Sequence, residues 1–254
     1  MKITRAVVPS LFTILNAFCG FLSIIQTSQG NIHLAGWFIL LAAIFDSLDG
    51  VMARITKSCS QFGVELDSLS DVVSFGAAPS FMVYVAYLNT LGTLGVMIAA
   101  LPLAMGAIRL ARFNVQLVGF DKDYFNGLPI PMQAITVCAF LLEFSTDHSA
   151  MSPINANALA ILVIVLSLLM VSHVKYDTLP KISKKQIVAH PWKVVSIVIA
   201  ALIVLFSRGH FLFYMLMCFI AFGIIRSMIV WFKKSILKIQ TVPTEQSELS
   251  SIDL

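Results

Sequence analysis

Long apolar stretches separated by short polar ones set the architecture of the chain. Eight such stretches are read at 7–27, 33–54, 66–88, 92–115, 129–146, 154–173, 194–207 and 211–232. Wound as helices, about 18 or more apolar residues cover the roughly 30 Å of a bilayer's hydrocarbon core. The stretch at 194–207 is short and the one at 129–146 opens on the proline-rich GLPIPMQ, so six or seven crossings also fit the pattern. A closed barrel would instead show short segments of alternating hydrophobicity, which the sequence lacks. The pattern predicts an all-α, polytopic transmembrane bundle of about eight helices.

Composition agrees. The 254 residues are 58% hydrophobic and 12% charged, outside the range of soluble domains. Lys and Arg are retained on the cytoplasmic side of membrane proteins, and sixteen of the seventeen fall in loops of one side; only Arg208 lies opposite. Both termini are therefore expected in the cytoplasm. The net charge of +4 reads as a topology signal and as contact with anionic lipid, not as a nucleic-acid surface. Lys2 and Arg5 precede an apolar run as in a signal peptide, but no small-x-small cleavage site follows, and helix 1 is expected to stay. From Ile239 the chain reads IQTVPTEQSELSSIDL, which predicts a disordered cytoplasmic tail over 239–254 after a transmembrane domain over 1–235. The four Cys and five His are scattered, without disulfide or zinc spacing.

One stretch breaks the apolar pattern. FDSLDGVMARITKSCSQFGVELDSLSDVVSF, residues 45–75, carries Asp46, Asp49, Asp67 and Asp71. Asp46 and Asp49, three apart, share one helix face, and Asp67 and Asp71, four apart, share another. If the two helices are antiparallel and joined by a loop of about ten residues, Asp49 lies level with Asp67 and Asp46 with Asp71, all within roughly 12 Å of the helix ends. A carboxylate at mid-membrane costs about 2.5–3.5 kcal/mol, and four together repel one another. Positive charge must offset them. Hard oxygen donors in this number suit Mg²⁺, Mn²⁺ or Ca²⁺, and two ions fit the charge; a buried ion network with Arg54, Arg109 and Arg112 is the alternative. Gly50, Ala53 and Gly63 keep the backbone bare, and with Arg54 they suggest room for a phosphorylated ligand.

These residues fit D-x2-D-G-x2-A-R-x8-G-x3-D-x3-D, and the chain thereby resembles the CDP-alcohol phosphotransferases at every fixed position. Further stretches, PSLFTILNAFCGFLSI, LSDVVSFGAAPS, RLARFNVQ, NGLPIPMQ and LMVSHVKYDTLPK, are similar to the integral-membrane branch that uses serine as acceptor. The resemblance covers about residues 8–181 and implies a six-helix catalytic core with two helices beyond it. It implies transfer of a phosphatidyl group from CDP-diacylglycerol to the hydroxyl of L-serine, with release of CMP, by an enzyme of the inner membrane whose active site faces the cytoplasm. It implies that Asp46, Asp49, Asp67 and Asp71 hold divalent metal, Mg²⁺ or Mn²⁺ and two ions, with Asp71 also the base. Gly50, Ala53, Arg54 and Gly63 would line the nucleotide pocket, and homodimers are expected.

Serine brings a carboxylate, for which Arg109, Arg112 and Asn114 near the cytoplasmic end of helix 4 are the candidates; the alternative is that both arginines are interfacial anchors. Asn16, polar inside helix 1, either bonds across helices or steers an Asp ligand. Pro102 predicts a kink in helix 4. Acceptors such as glycerol 3-phosphate or inositol phosphate carry a phosphate and call for more basic residues than these. An ion-coupled transporter is the reading of another class, and it would need acidic sites on the outer half as well.

Overall fold

A computed structural model describes residues 7–56, 60–117, 124–145, 152–172, 174–177 and 210–240. Helices α1 (Val7–Ser28) and α2 (Ile32–Thr56) form an antiparallel pair, linked by a turn at Gly30 with φ of +82°. The next segment runs as α3 (Gln61–Asp71), a π-helical stretch over Val72–Ala77, and α4 (Ala78–Ala86). A short 3₁₀ turn, Leu88–Leu91, leads into α5 (Gly92–Leu117). Strand β1 (Tyr124–Asn126), α6 (Ile130–Phe144), α7 (Pro153–Val171), strand β2 (Lys175–Asp177) and α8 (His210–Gln240) complete the order.

Among the described residues, six segments are long and apolar enough to cross a membrane, and α6, at 15 residues, is a shorter apolar helix. The protein is an integral membrane protein. The expected crossing at 194–207 and the expected tail beyond Gln240 lie outside the described residues, while Ile239 and Gln240, expected to open that tail, close α8.

Two boundaries differ from expectation near the acidic stretch. α2 continues to Thr56, whose Oγ1 donates back to the Met52 carbonyl, and α3 begins at Gln61. Ser60 starts α3 by accepting the Gly63 N–H on its Oγ at 3.0 Å, an N-cap bond. The two helices thus stand four residues apart in sequence, not about ten, and Asp67 and Asp71 sit in the second half of α3, Asp71 as its last residue, instead of at a helix start.

The core is built around α6. Ala134, Val137, Cys138, Ala139, Phe140 and Leu141 are all buried, which is what a helix apolar on every side requires. Phe140 and Phe144 pack edge-on against Phe213, with centroids 5.3 and 5.8 Å away, and this fixes α8 on α6. Leu11, Ile14, Phe18, Phe21, Leu94 and Met97 face outward, as lipid-facing residues do.

Pro102 lies inside α5 and removes one backbone donor from its ladder. The Leu103 N–H one position on is taken by Ser80 Oγ at 3.1 Å, so α4 supplies a partner from outside the helix.

An antiparallel ribbon, absent from the predicted all-helical pattern, pairs β1 with β2 in the register Tyr124↔Asp177, Phe125↔Tyr176 and Asn126↔Lys175. It ties the approach to α6 onto the end of α7. Gly127 follows with φ of +84°; its N–H donates to the Val174 carbonyl at 2.9 Å, and that of Leu128 to the Leu169 carbonyl at 3.1 Å. A Cβ at Gly127 would run into the Met170 carbonyl, so only glycine fits.

Candidate active site

The four aspartates come together where α1, α2 and α3 meet. Carboxylate oxygens of Asp46, Asp49 and Asp67 all lie within 4.8 Å of one another. Asp49 lies beside Asp67 and Asp46 beside Asp71, the levels that helical spacing predicts. Asp49 and Asp71 are each only 7% exposed.

α1 supplies the neutral donors. Thr13 Oγ1 donates to Asp49 Oδ2 at 2.9 Å, and Asn16 Nδ2 donates to Asp71 Oδ1 at 3.1 Å. Asn16 thus joins the two roles left open for it, bonding across helices and contacting an aspartate. Thr13, Asn16, Gly20, Ser23 and Thr27 recur at steps of three and four and form one buried stripe along α1. That alternation was present in the sequence and signals the contact face; only Asn16 was singled out from it.

The close approach of α1 and α3 is locked by backbone carbonyls. Ser70 Oγ donates to the Thr13 carbonyl and Ser74 Oγ to the Asn16 carbonyl, both at 2.8 Å. Gly20 faces Ser74 with no space for a side chain: an added Cβ would stand 2.6 Å from the Ser74 Cα.

Asp67 and Asp71 open onto a cavity of about 190 Å³, lined also by Val64, Ser68, Arg109, Leu110, Phe113, Asn114 and Pro129–Pro131. Arg109 faces Asp71 electrostatically, and its Nε is buried without a hydrogen-bond partner among the described residues. Asn114 bridges α5 to α3, donating to Ser68 Oγ at 3.0 Å and to Glu65 Oε2 at 3.5 Å. Arg112 does not line this cavity; it is exposed, and its Nη1 donates to the Val171 carbonyl at the end of α7 at 3.4 Å. A buried network needing both arginines among the aspartates is therefore not what α5 provides.

On α2, Gly50 faces open space, since an added Cβ would meet nothing within 4 Å. Ala53 is half-buried, and Arg54 lies one residue further along the same helix. Gly63 sits in the first turn of α3, held by the Ser60 cap. The four residues expected at a nucleotide pocket thus flank the turn beside the carboxylates.

The residues fit a divalent metal. The donors are all hard oxygens, they converge from two helices, and Asp67 Oδ1 is buried without a hydrogen-bond partner among the described residues. Such an acceptor-only atom requires a cation or a proton donor.

Residues 6–174 match the family model described as CDP-alcohol phosphatidyltransferase. The chain belongs to that family. The CDP-alcohol phosphatidyltransferases use divalent metals, in keeping with the carboxylate cluster. Among curated relatives, CDP-diacylglycerol--serine O-phosphatidyltransferase of Helicobacter pylori strain J99 is 38% identical over 175 residues, covering 68% of this chain and 73% of that one. Archaetidylserine synthase of Methanothermobacter thermautotrophicus is 40% identical over 179 residues, covering 69% and 72%. CDP-diacylglycerol--serine O-phosphatidyltransferase of Bacillus subtilis is 35% identical over 185 residues, covering 73% of this chain and 98% of that one.

Proposed function

We propose that this CDP-alcohol phosphatidyltransferase moves the phosphatidyl group of CDP-diacylglycerol onto the hydroxyl of L-serine, giving phosphatidylserine and CMP. The observation that carries the reading is the four-aspartate cluster opening onto a cavity whose lining, among the described residues, contains one cation, Arg109. One guanidinium matches one acceptor carboxylate. The names of the relatives, two of them serine O-phosphatidyltransferases and one an archaetidylserine synthase, support the same acceptor. Glycerol 3-phosphate or inositol phosphate would bring a phosphate dianion to a site with a single arginine.

In the reaction, the serine oxygen forms a bond to the phosphorus that carries diacylglycerol, and the bond from that phosphorus to the CMP oxygen breaks. Asp71, lining the cavity, takes the serine proton. Asp46, Asp49, Asp67 and Asp71 would hold the divalent metal, two ions of Mg²⁺ or Mn²⁺. Bound metal supplies charge neutralisation of the diphosphate and of the departing CMP. Gly50, Ala53, Arg54 and Gly63 receive the cytidine diphosphate, because the bare backbone at Gly50 faces open space. Arg109 holds the serine carboxylate, while Asn114 fixes α5 to α3 and so sets the cavity's width. Arg112 serves the acceptor indirectly, by anchoring the end of α7.

The loop charges support an orientation with both termini and the site at the cytoplasmic face of the inner membrane. Residues 1–235 form the transmembrane domain, and the active form is a homodimer by analogy with the family. The test of function is CMP release by purified protein with CDP-diacylglycerol, Mg²⁺ or Mn²⁺, and each acceptor in turn, beside Asp71→Asn. Release with serine alone, lost in the variant, is the expected result. Release with a different acceptor overturns serine, and release by Asp71→Asn at the native rate overturns the role of Asp71.

A further inference from the structure

We propose that Asn16 is a positioning residue for Asp71, fixing the rotamer and plane of the carboxylate that receives the acceptor's proton; this rests on the reading of Asp71 given above. Asn16 is fully buried on α1, and among the described residues its one side-chain hydrogen bond goes from Nδ2 to Asp71 Oδ1, while its buried Oδ1 meets no hydrogen-bond partner among them.

An asparagine kept only to pack two helices would have both ends of its amide paired, because a buried orphan acceptor is costly. This one leaves an end orphaned and spends its donor on Asp71. The packing of α1 on α3 is secured by other means. Ser74 Oγ bonds the backbone carbonyl of Asn16, Ser70 Oγ bonds that of Thr13, and Gly20 gives the close approach to Ser74. None of these needs the amide side chain. Contact and orientation are thus separate tasks at one position, and the amide serves orientation.

Thr13, one turn earlier, treats Asp49 in the same way from its hydroxyl at 2.9 Å. α1 therefore reaches one carboxylate of α2 and one of α3, and it sets the two acidic helices in a common frame.

Asn16→Ala and the near-isosteric Asn16→Asp, which lacks the amide donor, are compared in detergent with the native chain and Asp71→Asn. The readouts are kcat, KM for both substrates, and the Mn²⁺ concentration giving half of the Mn²⁺-dependent rise in Tm, which needs no turnover. Loss of such an orienting partner is expected to lower kcat in both variants about 10- to 100-fold and to raise the Mn²⁺ half-point. KM for both substrates should stay within about threefold, as for an interaction made mainly in the transition state. The metal-free Tm of Asn16→Ala should stay near the native value, since the serine-to-carbonyl bonds remain. Native kcat in either folded variant, or losses that simply follow a fall in metal-free Tm, would overturn the proposal, and so would failure of both variants to fold. If Asp71→Asn keeps native CMP release, the functional reading itself fails; if Asp71→Asn is inactive beside a native-like Asn16→Ala, only the positioning role fails.

Discussion

The Cδ1 of Ile130 crowds the position that a Cβ on Gly106 would take. Gly106 lies on α5, and Ile130 opens α6 and lines the cavity, so the missing methyl leaves the isoleucine room at the cavity wall. Gly106→Ala is expected to push the Ile130 side chain aside, at a cost of about 1–3 kcal/mol in stability from overpacking. Thermal unfolding reads the stability, and KM for serine should rise while that for CDP-diacylglycerol holds. A rise confined to the lipid substrate would place the acceptor elsewhere.

Removing metal should expose the repulsion among the aspartates. The native chain is expected to lose Tm on chelation and to regain it with Mg²⁺ or Mn²⁺. Asp46→Asn removes one of the repelling charges, so in chelator it should melt above the native chain, by about 2–4 °C for each kcal/mol relieved. With metal present the order should reverse, because the variant has lost a ligand. A variant that melts below the native chain in both conditions argues for a structural ion network.

The two arginines of RLAR should behave differently. Arg109 lines the cavity with a buried Nε that has no hydrogen-bond partner among the described residues, whereas Arg112 is exposed and bonded to the Val171 carbonyl. Arg109→Gln is expected to lower kcat/KM for serine roughly 10- to 100-fold, the scale of a lost charge-assisted hydrogen bond. Arg112→Gln should stay within about threefold, as exposed polar contacts contribute little. Equal losses at both positions would mean that both reach the acceptor.

Gly127 couples the ribbon to the cavity. Gly127→Ala must leave a φ of +84° or displace the Met170 carbonyl, and it is expected to destabilise the protein by about 1–3 kcal/mol. Pro129–Pro131 follow directly and line the cavity, so kcat/KM should fall together with Tm. An unchanged Tm would show that this turn relaxes freely.

The aspartate levels were legible because helical spacing alone puts Asp46 beside Asp71 and Asp49 beside Asp67. Within the described residues the apolar runs likewise marked the membrane helices, although α3 starts five residues earlier and α8 ends eight residues later than the runs do. The short α2–α3 link was missed because it hangs on Ser60, one polar residue among several in KSCSQ, whose capping role shows only in its bond to Gly63. Three-residue strands such as Tyr124–Asn126 are too short to leave a periodic signal. Arg109 and Arg112, three residues apart, share a helix face by spacing, yet a long side chain near a helix end can reach away from its neighbour, which spacing does not record. Ser70 and Ser74 carry no hydrophobic or charge signal, and their part emerges only from the carbonyls opposite them.

The π-helical stretch that begins directly after Asp71 makes chain length a constraint in its own right. Each residue of an α-helix turns the chain by about 100°, and a π-helical turn takes up one residue more, so winding Val72–Ala77 as regular α-helix with no residue removed would swing all of α4 around its axis. Ser74 would then leave the Asn16 carbonyl, and Ser80 would leave the Leu103 amide that Pro102 sets free. Substitutions within this stretch perturb one contact each; a change of its winding would undo contacts on two neighbouring helices together. The number of residues between the last aspartate and α4 therefore matters as much as their identity.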